Sequence, residues 1–183
     1  LKYLQKARHK LPTYYNQLCI IPPLAYQQSS SEQAASLKNY TGKRCLDLTM
    51  GLGVDAWHFS HHFDEVHAVE PNEELVWIGK KNFHLLSRNN IDIHHLSAES
   101  YLEDYQGPPY DLIYIDPARR DSQGRKIHDL EACFPNVIEL MPLLKQHGKR
   151  IVIKASPLFD IGQARKKIPD TSRILVNSIQ NEV

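Results

Sequence analysis

The chain has 183 residues, 42% of them hydrophobic and 23% charged, which suits one soluble globular domain with a proper core. No run approaches the 18 apolar residues of a membrane span, and three scattered cysteines (Cys19, Cys45, Cys133) without a Cys-x-x-Cys argue against a disulfide framework or a thiolate zinc site and favour a reducing cytoplasm. The net charge of +1 hides an uneven distribution: residues 1–44 carry seven basic side chains against Glu32 alone, residues 45–116 three against thirteen acids, and residues 117–183 twelve against seven. Two basic flanks thus frame an acidic middle and offer a surface to a polyanion.

Residues 1–28 read as a basic helical segment and connector, with apolar residues at helical spacing until Pro12 and then Pro22-Pro23 interrupt them. Residues 29–183 read as a second unit. Ser29 and Glu32 are spaced as in a capping box, which predicts a helix to about Tyr40 with Gly42 as the stop. Apolar runs at 44–49, 66–70, 91–96, 111–115 and 151–155 then predict strands, with a sixth at 173–179. Helical patterns near 55–62, 72–88, 98–104, 129–147 and 160–168 alternate with them. This alternation predicts an α/β fold, a doubly wound and mostly parallel sheet with helices on both faces.

The first strand ends in Asp47 and runs through Thr49 into Gly51-x-Gly53, after which Asp55 opens a helical pattern. Glycines let a backbone turn tightly and approach a ligand closely, and a helix N-terminus offers unpaired N–H groups. The second strand ends in Glu70-Pro71, twenty-three positions after Asp47. An acid there is placed to accept two hydrogen bonds from ribose hydroxyls. The pattern is that of a βαβ unit holding an adenosine-containing cofactor. Gly51-x-Gly53-x-x-Ala56 also satisfies the dinucleotide fingerprint, so NAD stays open. Asp47 suits a cationic α-amino group, as in S-adenosylmethionine, better than a pyrophosphate, which it would repel.

Further on, Ala98 and Glu99 follow the third strand and would flank the adenine. The fourth strand ends in Asp116-Pro117, where the missing N–H and fixed φ of proline take the chain out of the sheet beside the cofactor crevice. Arg119 and Arg120 follow and suit phosphate or carboxylate recognition. Lys154 ends the fifth strand near the same edge. His58, His61 and His62 share a helix face, but with no supporting ligand pattern they read as a surface cluster and no metal site is expected.

Asp47-x-x-x-Gly51-x-Gly53, Glu70, the turn at Glu99 and Asp116-Pro117 resemble the ordered motifs of class I S-adenosylmethionine-dependent methyltransferases over about residues 29–183. Gly51-Leu52-Gly53-Val54-Asp55, Asp116-Pro117-Ala118-Arg119-Arg120, Lys154-Ala155-Ser156-Pro157 and Asn181-Glu182 more closely resemble a bacterial group of methyltransferases with a THUMP-like domain after the catalytic one. The resemblance implies a Rossmann-like sheet, cofactor over strands one to three, and a further C-terminal domain, with this chain stopping short of it and of the last strand the class usually has. Asp116-Pro117 is similar to the Asp/Asn-Pro-Pro-aromatic signature of amino-group methyltransferases, with Ala118 in place of the second proline and Arg119 in place of the aromatic.

The expected cofactor residues are therefore Asp47, Thr49, Gly51, Gly53, Asp55, Glu70, Pro71, Ala98, Glu99 and Asp116. Asp116 and Pro117 are expected at the reacting atoms, and Arg119, Arg120 and Lys154 on an RNA substrate. Two other readings remain at this point: an NAD-dependent oxidoreductase resting on the fingerprint glycines, and a non-catalytic RNA-binding module resting on the basic flanks.

Overall fold

The fold is described from a computed structural model over residues 2–118, 133–155 and 161–179. Four short helices come first: α1 (Lys2–Lys10), α2 (Pro12–Asn16), α3 (Pro23–Gln28) and α4 (Glu32–Ser36). Then β1 (Gly42–Asp47), α5 (Val54–Phe59), β2 (Phe63–Val69), α6 (Glu73–Leu85), β3 (Ile91–His94), α7 (Ala98–Asp104), β4 (Leu112–Ile115), α8 (Val137–His147), β5 (Ile151–Ile153) and α9 (Ile161–Lys167) follow. The five strands form one parallel sheet in the order β3-β2-β1-β4-β5. Chain direction reverses its march between β1 and β4, and in open α/β sheets the crevice for a ligand lies at that switch.

The period-two alternation of the strands divides the core in two. Cys45, Leu112 and Tyr114 face a cluster built with Ala7, Leu11, Tyr14, Phe59 and Phe83. Leu46, Leu48, Ile113 and Ile115 face the other cluster, with Tyr101, Leu102, Leu140 and Leu144. Helices thus cover both faces, and residues of α1, α2 and α3 are buried in the same cluster as the central strands.

Several boundaries differ from expectation for local reasons. Ser31, not Ser29, caps α4, its side chain accepting from Ala34 N–H at 3.0 Å. Glu32 reaches back instead to cap α2, accepting from Thr13 N–H at 2.8 Å and from Thr13 Oγ1 at 2.7 Å. Its helix stops at Ser36 rather than Tyr40, because Asn39, Tyr40 and Thr41 are weak helix formers. In the 129–147 pattern the helix begins at Val137, where Asn136 caps it and Pro135 disfavours helix at the residue before it; residues 129–132 lie outside the described residues.

The sixth strand is not formed among the described residues. Residues 171–178 are irregular, and Leu175 and Val176 are exposed. Among the described residues Ile174-Leu175-Val176 pair with no strand, β5 pairing with β4 alone, and strand propensity does not suffice without ladder hydrogen bonds.

Candidate active site

Asp47 is the last residue of β1, the central strand, and its side chain is fully buried. Its Oδ1 accepts from Thr49 N–H at 3.0 Å, while Oδ2 is buried with no hydrogen-bond partner among the described residues. Burial, and next the negative charge of Asp55, push the Asp47 carboxyl up to about 8, although the Thr49 N–H pulls the other way. A buried acceptor without a donor is costly and is the mark of a group waiting for a cation or a donor. Thr49 ties the two central loops together, its Oγ1 accepting from Asp116 N–H at 2.7 Å.

The two glycines of the turn have different duties. Gly51 has φ +56, and among the described residues a Cβ built on it meets nothing nearer than Thr49 O at 4.0 Å, so none of them fills that side of the loop. Gly53 has φ +83 and caps α5, but a Cβ there would lie 2.6 Å from Phe83 Cζ. Gly53 therefore lets α5 and α6 pack closely, while no described residue crowds Gly51.

Glu70 follows β2 and is buried. Gly51 N–H donates to its Oε2 at 2.9 Å and Asn72 N–H to its Oε1 at 3.0 Å. Burial raises its carboxyl above the ordinary range, against the pull of those two N–H groups. Each oxygen retains a lone pair for a further donor. Pro71 is exposed, with its carbonyl 3.1 Å from His95 Nε2. Ala98 is buried at the start of α7, which Ser97 caps, and Glu99 is half-buried in its first turn.

Asp116 lies just past β4, and Pro117 behind it is buried. Lys154, just past β5, donates from Nζ to Asp116 Oδ2 at 2.6 Å and to Ser30 Oγ at 2.9 Å. Ser30 Oγ in turn donates to Asp55 Oδ2 at 2.8 Å, Tyr114 OH donates to the same oxygen at 3.1 Å, and Lys38 forms an ion pair with Asp55 Oδ1. Burial alone would lift the Asp55 carboxyl, but Lys38 and Lys154 outweigh it and hold it below the ordinary range. Asp55 is thus a hub joining the N-terminal segment to the crevice, with its oxygens engaged by the protein itself. Arg119 and Arg120 lie outside the described residues.

The fold brings together Asp47, Thr49, Gly51, Glu70, Asp116 and Lys154 at the carboxyl edge of β1, β2, β4 and β5. Ser30, Lys38 and Tyr114 were not anticipated from sequence. Ser30 sits in a serine run that reads as a helix cap, and nothing local points its hydroxyl toward Lys154. Among the described residues no group of three His, Cys, Asp or Glu side chains is arranged to hold a metal, and no helix is long and apolar enough to cross a membrane.

No family profile matches the sequence. It is 27% identical over 126 residues to an uncharacterized RNA methyltransferase of Thermotoga maritima, covering 64% of this chain and 28% of that protein. A solved structure described as that of a methyltransferase from Porphyromonas gingivalis W83 superposes with a TM-score of 0.76 at 27% identity, over 90% of this chain and 42% of that one. Precorrin 8w decarboxylase of Methanobacterium thermoautotrophicum superposes at 0.62 and 16% identity, over 85% of this chain and 78% of that one. The chain therefore spans under half the length of the first two, and it has the Rossmann-like fold of class I methyltransferases. That fold hosts more than one chemistry, so function must be argued from the site.

Proposed function

We propose that the chain is a class I S-adenosylmethionine-dependent methyltransferase acting on an RNA nucleotide. The observation that carries this reading is Asp47, a buried carboxylate with one oxygen unpartnered among the described residues, beside the Gly51 turn. Such a group fits the α-ammonium of S-adenosylmethionine and would repel the pyrophosphate of NAD. Asp47 would hold the methionine end, Gly51 would admit the ligand close to the backbone, and Glu70 would accept from the ribose hydroxyls through its remaining lone pairs. Ala98 and Glu99 would border the adenine.

The cofactor supplies an electrophilic methyl on a sulfonium, which an in-line nucleophile can take. The protein's part is to bind, orient and deprotonate the nucleophile. Asp116 would accept a hydrogen bond and then a proton from the target nitrogen or oxygen, with Lys154 fixing one carboxylate oxygen so that the other faces the substrate. Pro117 would hold the loop at the sheet edge. Arg119 and Arg120, together with the basic flanks, would engage phosphates, and Lys154 would face the substrate beside Asp116.

The kinship with an RNA methyltransferase and the charge distribution support RNA as the substrate class. The motif resemblance supports a further, THUMP-like domain in the whole protein, and the odd number of scattered cysteines without a Cys-x-x-Cys supports the cytoplasm as its site.

The test is calorimetric titration with S-adenosylmethionine, S-adenosylhomocysteine and NAD, followed by transfer of labelled methyl to total tRNA and rRNA. Saturable binding of the first two and not of NAD is expected. NAD outcompeting them would make the chain an oxidoreductase, and salt-sensitive RNA binding without either cofactor would make it a binding module.

A further inference from the structure

Phe134 is 66% exposed and belongs to neither buried core. A single exposed apolar side chain needs no explanation in itself. What singles out Phe134 is its fixed place. Its main chain pairs antiparallel with Ala118, with Ala118 N–H donating to Phe134 O at 2.7 Å and the return bond at 3.4 Å. Exchange of both bonds makes the two residues directly opposed, with their Cβ atoms on one side and about 5 Å apart.

Along this stretch Pro117 is buried, whereas Ala118 is exposed and Asp116 is half-buried. The accessible side of the segment therefore carries Asp116, then Ala118, then the ring of Phe134 beside it. Asp116 and Ala118 are at most about 7 Å apart along the chain. The methyl side chain of Ala118 leaves the ring uncovered. An aromatic side chain thus flanks the segment that carries the acceptor Asp116, two residues from Ala118, and Asp116 is joined at 2.6 Å to a donor, Lys154 Nζ.

We infer that Phe134, Asp116 and Lys154 form a nucleobase subsite, in which an unstacked base lies on the Phe134 ring with its polar edge toward Asp116 and Lys154. Every base has a π face, so stacking tolerates any base, while an acceptor beside a donor can meet the edge of each. A base in a duplex has both faces covered, so the subsite takes its nucleotide unpaired or extruded. This inference rests on the reading of the chain as an RNA methyltransferase. It adds the substrate's state and a residue, distant in sequence from the Asp116 motif, that recognises it.

The test uses the full chain, with and without S-adenosylhomocysteine, and a short single-stranded oligouridylate carrying one central 2-aminopurine, alone or annealed to its complement. Binding of the single strand in preference to the duplex is expected, with quenching of 2-aminopurine emission. Phe134→Ala and Phe134→Leu should weaken the single strand about tenfold and abolish the quenching, while Phe134→Trp retains both. Calorimetric affinity for S-adenosylhomocysteine should be the same in all four proteins. Loss of that affinity in the wild-type chain would strike the methyltransferase reading, and the oligonucleotide arm without it would still read the subsite. A wild-type chain that leaves the strand unbound or its emission unchanged, or a Phe134→Ala variant that binds and quenches like wild type, overturns the subsite.

Discussion

Ser30 and Lys154 are 124 residues apart in sequence and meet in a 2.9 Å hydrogen bond at the carboxyl edge of the sheet. The same hydroxyl donates to Asp55, and the same ammonium donates to Asp116. The N-terminal segment is therefore wired into the crevice, and a substitution there should be felt at Asp116. Ser30→Ala removes one acceptor from Lys154 and one donor from Asp55, and both partners are substantially buried. A loss of about 1–2 kcal/mol in unfolding free energy is expected from urea denaturation. Wild-type stability in Ser30→Ala would mean that the hydroxyl bridges neither group in solution.

Asp47 should leave its mark on the pH dependence of both stability and binding. Its carboxyl is pushed up to about 8 by burial first and by Asp55 next, whereas in the unfolded chain it titrates near the ordinary value of about 3.9. Between those values the native chain holds a proton that the unfolded chain has lost. This group therefore makes stability fall as pH rises from about 4 to about 8, by at most about 1.4 kcal/mol per pH unit. The stability of Asp47→Asn relative to wild type should accordingly grow across that window in denaturant titrations at fixed pH. A cationic ligand needs the ionised form, so affinity for S-adenosylmethionine should rise with pH toward about 8. Proton release should show as heats that depend on the buffer's ionisation enthalpy. Heats independent of buffer would exclude Asp47 as the partner of the ammonium.

Glu70 accepts one backbone N–H on each oxygen, from Gly51 and from Asn72. A glutamine has one acceptor oxygen and turns an amide NH₂ toward one of those donors. Glu70→Gln should weaken S-adenosylhomocysteine at least about tenfold, the scale of a lost charge-assisted hydrogen bond, by calorimetry. Thermal unfolding should fall less than in Glu70→Ala, which strands both N–H groups. Unchanged affinity in Glu70→Gln would remove Glu70 from the ligand's contacts.

How much of this was legible in sequence depends on the range of the interaction. Asp47, Gly51 and Glu70 sit where a strand ends, and strand ends follow from local apolar runs and glycine turns, so their meeting at one edge could be read ahead. Asp55 was expected at the cofactor by its position in the turn, yet its carboxylate meets Ser30, Lys38 and Tyr114. Those partners come from the loops on either side of α4 and from β4, and no local pattern encodes them. Glu32 looked like half of a capping box and instead caps α2, because a cap is chosen by tertiary proximity as well as by spacing. The 173–179 stretch failed as a strand for the related reason that a strand is completed by its neighbour.

Gly51 and Gly53 look equivalent in sequence, and the last prediction separates them. Both have positive φ, which costs an alanine about 1–2 kcal/mol. At Gly53 the added methyl would also overlap Phe83, so Gly53→Ala should lose at least about 2 kcal/mol of stability. Adding Phe83→Leu should restore only the part due to overlap. At Gly51 the methyl overlaps none of the described residues, so Gly51→Ala should lose about 1 kcal/mol and unfold cooperatively. Its affinity for S-adenosylmethionine should nonetheless fall more than tenfold, since the methyl would occupy the side assigned to the ligand in the proposed function. Thermal unfolding and calorimetry on the same samples read the two effects apart. If Gly51→Ala binds the cofactor as wild type does, the ligand does not lie over that face of the loop, and Asp47 must find its cation from another side.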